Sequence, residues 1–363
     1  MRLEKLTAPL VVNLSVLMSR PTGISTYAQN LLPSLKPLDP IVLAAGPPTG
    51  FRSHKIPAGL SPDDGSKGHL KRLYWLQRQV PSVCRRFDSL LFSPSPEAPL
   101  YTDCRFVVTV HDTIPLRFPQ AFPLVLVSYF RHYVGRVLAQ AEHIVCDSES
   151  TARDVANFYK IPSGKLTSVA LAYDRQNFWP RDTPAGNYFL YVGRQNTHKN
   201  LPRLISAFAQ VCKGDCDVEL WLVGPQDPRY TPALMSQVAA LGLTNQVRFL
   251  DYVGYDQLPV LLEGAIALTF PSLWEGFGLP VLEAMACGTP VITSNLSSLP
   301  EVAGDAALLI DPYNTDELAE AMATVLNDSS CRQQLKAAGL TRANGFRWEK
   351  TGQQTADVLS RFL

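Results

Sequence analysis

The chain has 363 residues, of which 46% are hydrophobic and 18% charged, and its formal net charge at pH 7 is +1. This length exceeds one ordinary hydrophobic core, so we predict two domains of about 150 to 200 residues each. The near-neutral charge lacks the positive field that non-specific nucleic-acid binding needs, so we predict no nucleic-acid partner. No apolar run has the length of a membrane span, and we expect a cytoplasmic protein.

Short apolar runs alternate with segments of helical period, which is typical of parallel sheets covered on both faces. The first half contains six predicted strands: PLVVNLSVL, IVLAAG, SLLFSP, RFVVTVHD, HIVCDS and LTSVAL. The second half contains six more: YFLYVGR, VELWLVG, VRFLDYV, IALTFPS, PVITSN and AALLID. We therefore predict an α/β fold with two doubly wound, Rossmann-like domains, residues 1–175 and 176–346, which face each other across a cleft.

Polar or glycine residues follow four of the predicted strands. These are HD after FVVTV, GR after YFLYV, GPQD after LWLV, and PSLWEGFG after IALTF. Because ligands of open α/β sheets bind beyond the carboxyl ends of the strands, we predict functional sites at these four positions.

The stretch PSLWEGFGLPVLEAMACG predicts a glycine-rich elbow that leads into a helix. Gly276 and Gly278 permit close backbone approach, Pro280 fits the first helical position, and Gly288 ends the helix. The free N–H groups near Phe277, Gly278 and Leu279 lie at the positive end of the helix dipole. The elbow therefore predicts a binding site for a phosphate group, and a diphosphate would suit this site as a ligand.

Glu275 and Glu283 flank this elbow, where carboxylates would repel a phosphate. An ionised carboxylate can accept both protons of a vicinal diol, so we expect Glu283 to hold a ribose and Glu275 a second sugar. The alternative is that Glu275 caps the helix and Glu283 is a solvated position. The apolar setting of Glu283 in PVLEAMACG favours the first interpretation, because an unpaired carboxylate would be costly there. The combination indicates a nucleotide sugar.

No metal site is predicted. Cys212 and Cys216 lack a second pair at zinc-ligand spacing. His111 and Asp112 alone would also suit a metal hydrolase, but no second cluster of histidine and carboxylate supports that function. The alternative to a metal site is that Asp112 orients the His111 ring.

Several motifs along most of the chain together resemble the retaining GT-B glycosyltransferases of family four. They are PTGISTYAQNLL, VTVHDTIPLRFP, AEHIVCDSESTARDV, YVGRQNTHKNLPRLISAF, FPSLWEGFGLPVLEAMACGTPVITS, which holds the E-x7-E signature, and LPEVAGDAALLIDP. The resemblance implies a GT-B fold with acceptor binding mainly in the first domain and donor binding mainly in the second. The last helix, about residues 347–363, is expected to pack back on the first domain.

The resemblance also implies roles for individual residues. Arg194, next to Gly193, and Lys199 match the basic pair that clamps the donor diphosphate in place of a metal. His111 matches the histidine that contacts the donor sugar, and Gly23 matches the first-domain glycine loop. Transfer would proceed with retention and without an enzyme nucleophile. The nucleotide sugar, GDP- or UDP-linked, is a substrate, and no cofactor is expected.

The motifs PTGISTY and VHDTIPLRFP look like those of polysaccharide mannosyltransferases and favour mannose from GDP-mannose as the donor. UDP-linked glucose, galactose or N-acetylglucosamine are alternatives. The acceptor would be a saccharide or a lipid-linked saccharide in polysaccharide or glycoconjugate synthesis. Two other functions are a nucleotide-sugar epimerase, which needs no acceptor, and a non-catalytic sugar-binding subunit, which would be expected to have lost some of these residues.

Residues 65–87, GSKGHLKRLYWLQRQVPSVCRRF, contain six Lys and Arg residues and no acidic residue. Such a basic, aromatic segment suits peripheral contact with the inner face of an anionic membrane or a lipid diphosphate. The alternative is a solvated basic helix face.

Overall fold

The computed structural model describes residues 9–18, 23–46, 48–212 and 217–363. These residues divide into two compact units, each built around one parallel sheet. Unit 1 comprises the described residues up to Leu171 together with Trp348–Leu363, and unit 2 comprises those of Ala172–Arg347.

The sheet of unit 1 has seven strands among the described residues, in the order β3-β2-β1-β4-β5-β6-β7. Their bounds are β1 (Leu10–Asn13), β2 (Ile41–Ala44), β3 (Arg52–Lys55), β4 (Leu90–Ser93), β5 (Arg105–Val110), β6 (His143–Cys146) and β7 (Leu166–Ser168). The sequence predicts all of these except β3, whose residues RSHK are polar and mostly exposed at the sheet edge. The direction of strand addition reverses between β1 and β4, which makes this the topological switch point of unit 1.

Helices cover the sheet of unit 1. The α-helices that precede unit 2 are α1 (Gly23–Leu31), α2 (Gly65–Arg78), α3 (Val80–Phe87), α4 (Ile114–Arg117), α5 (Leu124–Ser128), α6 (Gly135–Gln140) and α7 (Glu149–Tyr159). Short 3-10 helices span Leu32–Leu38, Pro62–Asp64, Pro119–Ala121 and Ser163–Lys165, and a π-helix spans Tyr129–Val134. Trp75 and Leu76 of α2 join strand residues such as Val108 and Ile144 in one buried core.

The sheet of unit 2 has six strands among the described residues, in the order β10-β9-β8-β11-β12-β13. Their bounds are β8 (Tyr188–Val192), β9 (Glu219–Val223), β10 (Val247–Leu250), β11 (Ala267–Phe270), β12 (Val291–Ser294) and β13 (Leu308–Ile310). All six are predicted from their apolar runs. The switch point of unit 2 lies between β8 and β11.

Seven α-helices surround this second sheet within the described ranges. They are α8 (Leu201–Val211), α9 (Thr231–Ala240), α10 (Leu258–Gly264), α11 (Leu279–Ala286), α12 (Leu299–Ala303), α13 (Thr315–Asn327) and α14 (Ser329–Ala343), with 3-10 turns at Thr197–Lys199 and Gly304–Ala306. The start of α13 shows why one of them forms where it does. The Asn314 side chain accepts hydrogen bonds from the N–H groups of Asp316 and Glu317, so it satisfies two unpaired donors of the first turn.

The last helix, α15 (Trp348–Ser360), belongs to unit 1. The Thr351 hydroxyl donates to the carbonyl of Ala170 at 2.7 Å, and the Trp348 ring lies 6.4 Å from that of Tyr27. Gly352 allows the backbone of α15 to approach closely, because a Cβ there would lie 2.2 Å from Ser34. The final turns of the chain therefore complete the first unit.

A buried ion pair joins α2 to the loop after β4. The Arg72 Nε donates to Glu97 Oε2 at 2.7 Å, and both residues are only 5% exposed. The Tyr129 hydroxyl donates to Glu97 Oε1 at 3.0 Å, so the carboxylate also binds the π-helix. Of the six basic residues of segment 65–87, Arg72 is therefore one that does not face solvent.

No helix in the described part of the chain is both long and apolar enough to cross a bilayer.

We predict that Glu97→Ala lowers the free energy of unfolding by about 3 to 5 kcal/mol, because it leaves the Arg72 guanidinium buried without its carboxylate. The matched control is Glu142→Ala, which removes an exposed pair with Arg105 and should cost less than about 1 kcal/mol. Urea denaturation of both variants measures the difference. Equal losses would contradict the importance that we give to the buried pair.

Candidate active site

The predicted elbow is present after β11. Gly278 adopts the left-handed conformation, with φ 110° and ψ 46°, and a Cβ there would lie 2.7 Å from Leu299 Cδ2. Helix α11 begins at Leu279. Pro280 is therefore its second residue, whereas the sequence predicted Pro280 at the first helical position. Either position lies in the first turn, where a missing N–H costs no hydrogen bond. Gly288 follows the helix with a positive φ of 76°.

Two serines after β12 fix the backbone of the elbow. Ser297 Oγ accepts a hydrogen bond from the N–H of Glu275 at 3.1 Å. Ser298 Oγ lies 3.1 Å from the carbonyl of Glu275 and 2.7 Å from that of Phe277. Sequence reasoning missed both serines, although they follow a predicted strand as the other site residues do.

Lys199 and Glu275 form an ion pair at this edge. Lys199 Nζ donates to Glu275 Oε1 at 2.6 Å, and their side chains are only 14% and 10% exposed. The Lys199 ammonium also lies 5.1 Å from the centre of the Phe270 ring. The resemblance assigned the two side chains to different parts of a donor, and the structure brings them into direct contact.

Gly193 and Arg194 follow β8. Gly193 has a φ of 149°, and a Cβ on neighbouring Gly224 would lie 2.3 Å from the carbonyl oxygen of Gly193. The Arg194 side chain is exposed, and its backbone carbonyl accepts a hydrogen bond from the buried Tyr191 hydroxyl at 3.1 Å. Hydrogen bonding to Arg229 lowers the pKa of Asp227 to about 2, and the charge of Arg194 adds to the effect. Arg194 therefore presents its charge to solvent near the strand end.

Glu283 lies one turn into α11 and is partly buried. Its carboxylate has no hydrogen-bond partner within the described ranges. Burial and, to a smaller extent, the nearby charge of Asp174 together raise the pKa of Glu283 to about 7. Burial raises the pKa of the Tyr255 hydroxyl, and the charges of Glu283 and Asp174 also raise it. Glu283 thus keeps free capacity to accept hydrogen bonds.

These residues of unit 2 meet at the switch point. Gly193, Arg194 and Lys199 follow β8, whereas the elbow residues Glu275, Gly276, Phe277, Gly278 and Leu279 and the helical Glu283 follow β11. Since β8 and β11 are neighbours in the sheet, the two predicted groups share one edge. The hydrogen bond from Leu273 N to the His198 carbonyl, 2.8 Å long, links the two loops directly.

His111 lies at the end of β5 in unit 1 with both ring nitrogens engaged. Nδ1 lies 2.7 Å from Asp147 Oδ2, and Nε2 lies 3.0 Å from the carbonyl of Pro94. Both partners are hydrogen-bond acceptors, so they favour the protonated ring, which can donate from both nitrogens. Burial alone would lower the pKa of His111, but the Asp147 carboxylate outweighs it and raises the pKa.

The partner of His111 differs from the sequence interpretation. Asp112, the adjacent residue in the chain, instead accepts from the N–H of Ile114 at 3.0 Å. Asp147 follows β6, the next strand in the sheet, and lies opposite His111 in the continued strand register. A partner 36 residues away leaves no local signal in the sequence.

Gly23 is the first residue of α1 and is exposed. A Cβ at this position would meet nothing within 4 Å. Packing therefore does not explain the glycine. Its position at a helix start is compatible with backbone contact to a ligand.

Among the residues that the structure describes, no group of three or more His, Cys, Asp or Glu side chains is arranged to hold a metal ion. Of the cysteine pair considered from the sequence, Cys212 is buried and Cys216 lies outside the described residues.

Comparison with known families finds two matches that together extend over most of the chain. The family described as Glycosyl transferases group 1 matches residues 176–342, and Glycosyltransferase Family 4 matches residues 21–176.

Curated relatives and solved structures agree with these matches. The chain is 31% identical over 268 residues to O-antigen chain mannosyltransferase B of Escherichia coli, covering 70% of each chain. It is 32% identical over 205 residues to the O-antigen chain mannosyltransferase RfbU of Salmonella typhimurium, covering 56% of each. Anabaena HepE in complex with UDP and glucose has the same fold, with a TM-score of 0.74, 19% identity and coverage of 97% and 99%.

We predict that Glu283→Gln stabilises the ligand-free protein more at high pH than at low pH. The folded-state pKa of about 7 lies above the ordinary value of 4.5, so the folded chain retains a proton that the unfolded chain releases between these values. Stability attributable to Glu283 therefore falls as pH rises through this window. Gln cannot ionise and avoids this loss.

Melting temperatures at about pH 5 and about pH 8.5 measure the effect, since these values bracket most of the titration. Exposed Glu320→Gln is the control, and its difference from wild type should be the same at both pH values. A Glu283→Gln difference that does not grow with pH would show that the carboxylate is not destabilised by its surroundings.

Proposed function

This chain belongs to the group 1, family 4 glycosyltransferases, and from that premise we propose that it transfers a hexose from a nucleotide sugar to a saccharide or lipid-linked saccharide with retention of anomeric configuration. The observation that carries the proposal is the Lys199–Glu275 pair beside the glycine elbow. It combines a cation for phosphate and a carboxylate for hydroxyls at one switch point.

The donor diphosphate binds at the start of α11. The N–H groups of Phe277, Gly278 and Leu279 lie at the positive end of the helix dipole, and the lack of side chains at Gly276 and Gly278 leaves room for close approach. Gly193 does the same on the neighbouring loop. Arg194 and Lys199 supply the positive charge that a metal would otherwise provide, so the reaction is metal-independent.

The two carboxylates hold hydroxyl groups. Glu283, whose oxygens lack protein partners in the described ranges, accepts from the ribose diol. Glu275 accepts from the transferred sugar while one of its oxygens stays with Lys199. The residue that binds the transferred sugar, Glu275, is thereby in direct contact with Lys199, which binds the leaving diphosphate.

Bond cleavage places negative charge on the leaving diphosphate, and Lys199 and Arg194 stabilise that charge as it develops. The sugar passes through an oxocarbenium-like state and reacts with the acceptor hydroxyl on the same face. That hydroxyl gives its proton to the leaving phosphate. No enzyme nucleophile takes part.

His111 acts through its backbone in this proposal. Both ring nitrogens are bound within unit 1, so the ring is fixed and its carbonyl is held in one direction. We assign this carbonyl to contact with the donor sugar, as the family resemblance implies, because its partial negative charge favours the oxocarbenium-like state. Gly23 keeps the role that the resemblance implies, a backbone contact with the donor.

Mannose from GDP-mannose is the donor that we favour. The named relatives at 31% and 32% identity are mannosyltransferases of O-antigen chains, which are polysaccharides. The HepE complex contains UDP and glucose, and it supports a UDP-linked hexose as the alternative. In both cases the nucleotide sugar is the substrate and no further cofactor is needed.

We predict that one class in a panel of GDP-, UDP- and ADP-sugars raises the melting temperature, since a ligand at a hundredfold excess over Kd stabilises by about 2.7 kcal/mol.

With that donor, Arg194→Gln should reduce turnover by about 100-fold, because a cation facing the developing charge is lost. Its melting temperature should stay unchanged, because the side chain is exposed.

The matched control is Arg248→Gln, another exposed arginine of unit 2, which should keep wild-type turnover. Lys199→Ala is a less clean variant, because it also leaves the mostly buried Glu275 without its partner. Normal turnover in Arg194→Gln, or no stabilisation by any nucleotide sugar, would contradict the proposed function.

We propose that unit 1 also contacts an anionic membrane surface, where a lipid-linked acceptor would lie. Burial of Arg72 and Trp75 leaves α2 with an exposed face formed by Lys67, Leu70, Lys71, Tyr74 and Arg78. Leu70 and Tyr74 are 66% and 64% exposed, so apolar and basic groups share this face as membrane-surface binding requires.

A second exposed apolar pair follows on α5, a helix that leads directly into Tyr129. Leu124 and Val125 are 84% and 82% exposed. The Tyr129 ring contacts His69 of α2 at 5.1 Å between centroids, so the two exposed surfaces belong to neighbouring helices. No acidic residue lies between Leu124 and Gln140. These features support the bilayer surface as the partner.

Sedimentation with phosphatidylglycerol vesicles should therefore pull down the wild-type chain, and neutral phosphatidylcholine vesicles should not. A Leu70→Glu, Tyr74→Glu variant should lose most of the binding, because the charges oppose insertion and repel anionic lipid. The control is Tyr252→Glu in unit 2, a tyrosine that is 69% exposed. Absence of wild-type binding to the anionic vesicles would remove the proposal.

A further inference from the structure

The loop that joins β12 to α12 contains a residue with a strained backbone. Ser297 has a φ of 57°, in the left-handed region that favours glycine. A residue with a side chain loses stability there, because its Cβ crowds the following carbonyl oxygen. Glycine would avoid this loss, and strain of this kind collects at functional sites. We therefore looked for what the Ser297 side chain does.

The Ser297 hydroxyl binds the elbow at Glu275. Its Oγ accepts a hydrogen bond from the N–H of Glu275 at 3.1 Å. The next residue, Ser298, is fully buried, and its Oγ lies 3.1 Å from the carbonyl of Glu275 and 2.7 Å from that of Phe277. The two serines therefore contact both peptide groups of Glu275. An α-carbon whose two peptide groups are both held points its side chain in one direction.

The Glu275 carboxylate depends on that direction. Its Oε1 lies 2.6 Å from the Lys199 ammonium, and its side chain is only 10% exposed. The backbone end and the carboxylate end of the side chain are thus both held by neighbouring loops. A shift of the backbone would turn the second carboxylate oxygen away from a bound sugar, and small misplacements of a positioned group slow a reaction strongly.

We propose that Ser297 is a positioning residue for the transfer reaction: its hydroxyl fixes the backbone of Glu275, and thereby the carboxylate that contacts the transferred sugar. The inference rests on the proposed function, since it assigns the residue that supports the sugar contact of Glu275. Stability and activity then make opposite demands on this position. Glycine suits the left-handed backbone, whereas the reaction requires the hydroxyl.

Three substitutions separate the hydroxyl from the strain. Ser297→Gly removes both, and Ser297→Ala removes only the hydroxyl. Ser297→Thr keeps the hydroxyl and adds a β-branch, which is unfavourable at positive φ. We expect turnover of the nucleotide sugar to fall about tenfold in the Gly and Ala variants alike, as one lost hydrogen bond predicts. The Thr variant should retain most of the wild-type turnover.

Melting temperatures should follow a different order. The Gly variant should melt about 2 to 4 °C above the Ala variant, because only the Ala variant keeps the strain. The Thr variant should melt below wild type despite its turnover. A merely structural role for Ser297 would instead make turnover follow stability across the three variants.

The loss of turnover should appear in kcat. Affinity for the nucleoside diphosphate of the active donor, measured by calorimetry with GDP or UDP alone, should be unchanged in all three variants. The reason is that Glu275 is assigned to the sugar and not to the nucleotide.

Lys160 in unit 1 is the matched control for strain. It ends α7 with a φ of 58°, almost the same as that of Ser297, and its side chain is exposed. Lys160→Gly should therefore also melt above Lys160→Ala. Both variants should keep wild-type turnover.

Amide hydrogen exchange at Glu275 gives a readout that needs no activity. Its N–H should exchange faster in the Gly and Ala variants than in wild type and the Thr variant, because its acceptor is lost. Equal exchange in all four chains, or normal turnover in the Gly and Ala variants, would overturn the inference. A wild-type chain that transfers no sugar contradicts the proposed function instead, and the exchange comparison then still decides whether Ser297 holds the elbow.

Discussion

The ion pair between Lys199 and Glu275 is the interaction on which the loops at the carboxyl edge of the unit 2 sheet depend. Two mostly buried charges are tolerable only because they neutralise each other, and this requires the loops after β8 and β11 to lie side by side. The parallel pairing of those strands provides that arrangement, and Ser297 and Ser298 hold the second loop in place. A substrate that carries both phosphates and hydroxyls can engage the pair without leaving either charge unneutralised.

The two units use the same sheet geometry for different chemistry. Each has a switch point at which polar residues follow neighbouring strands, and ligands of open α/β sheets bind there. In unit 2 the edge presents cations and backbone N–H groups, which suit a diphosphate. In unit 1 the edge presents the His111 ring and the Asp147 carboxylate that binds it.

The sequence predicted the strands well because buried parallel strands are continuous apolar runs, and it missed β3 because RSHK is polar and lies at an exposed edge. It also identified the elbow, since glycine, proline and a helix pattern are local signals. It failed on partners distant in the chain. Asp147 and Glu97 are chosen by strand register and helix packing, and nothing near His111 or Arg72 in the sequence indicates them. The roles of Gly23, Arg194 and Glu283 in binding stay predictions, because they concern a ligand and not a contact within the chain.

The position of α15 has a consequence for how the protein is made. Most of unit 1 precedes unit 2 in the chain, yet Thr351 and Gly352 pack against residues near Ala170 and Ser34. During synthesis these contacts cannot form until α15 has left the ribosome, and the residues of unit 2 emerge before α15. Domains generally fold as units as they emerge. The domain translated first is therefore the one completed last, and a chain truncated before Trp348 would expose the surface of α1 and of the Leu32–Leu38 helix that α15 covers.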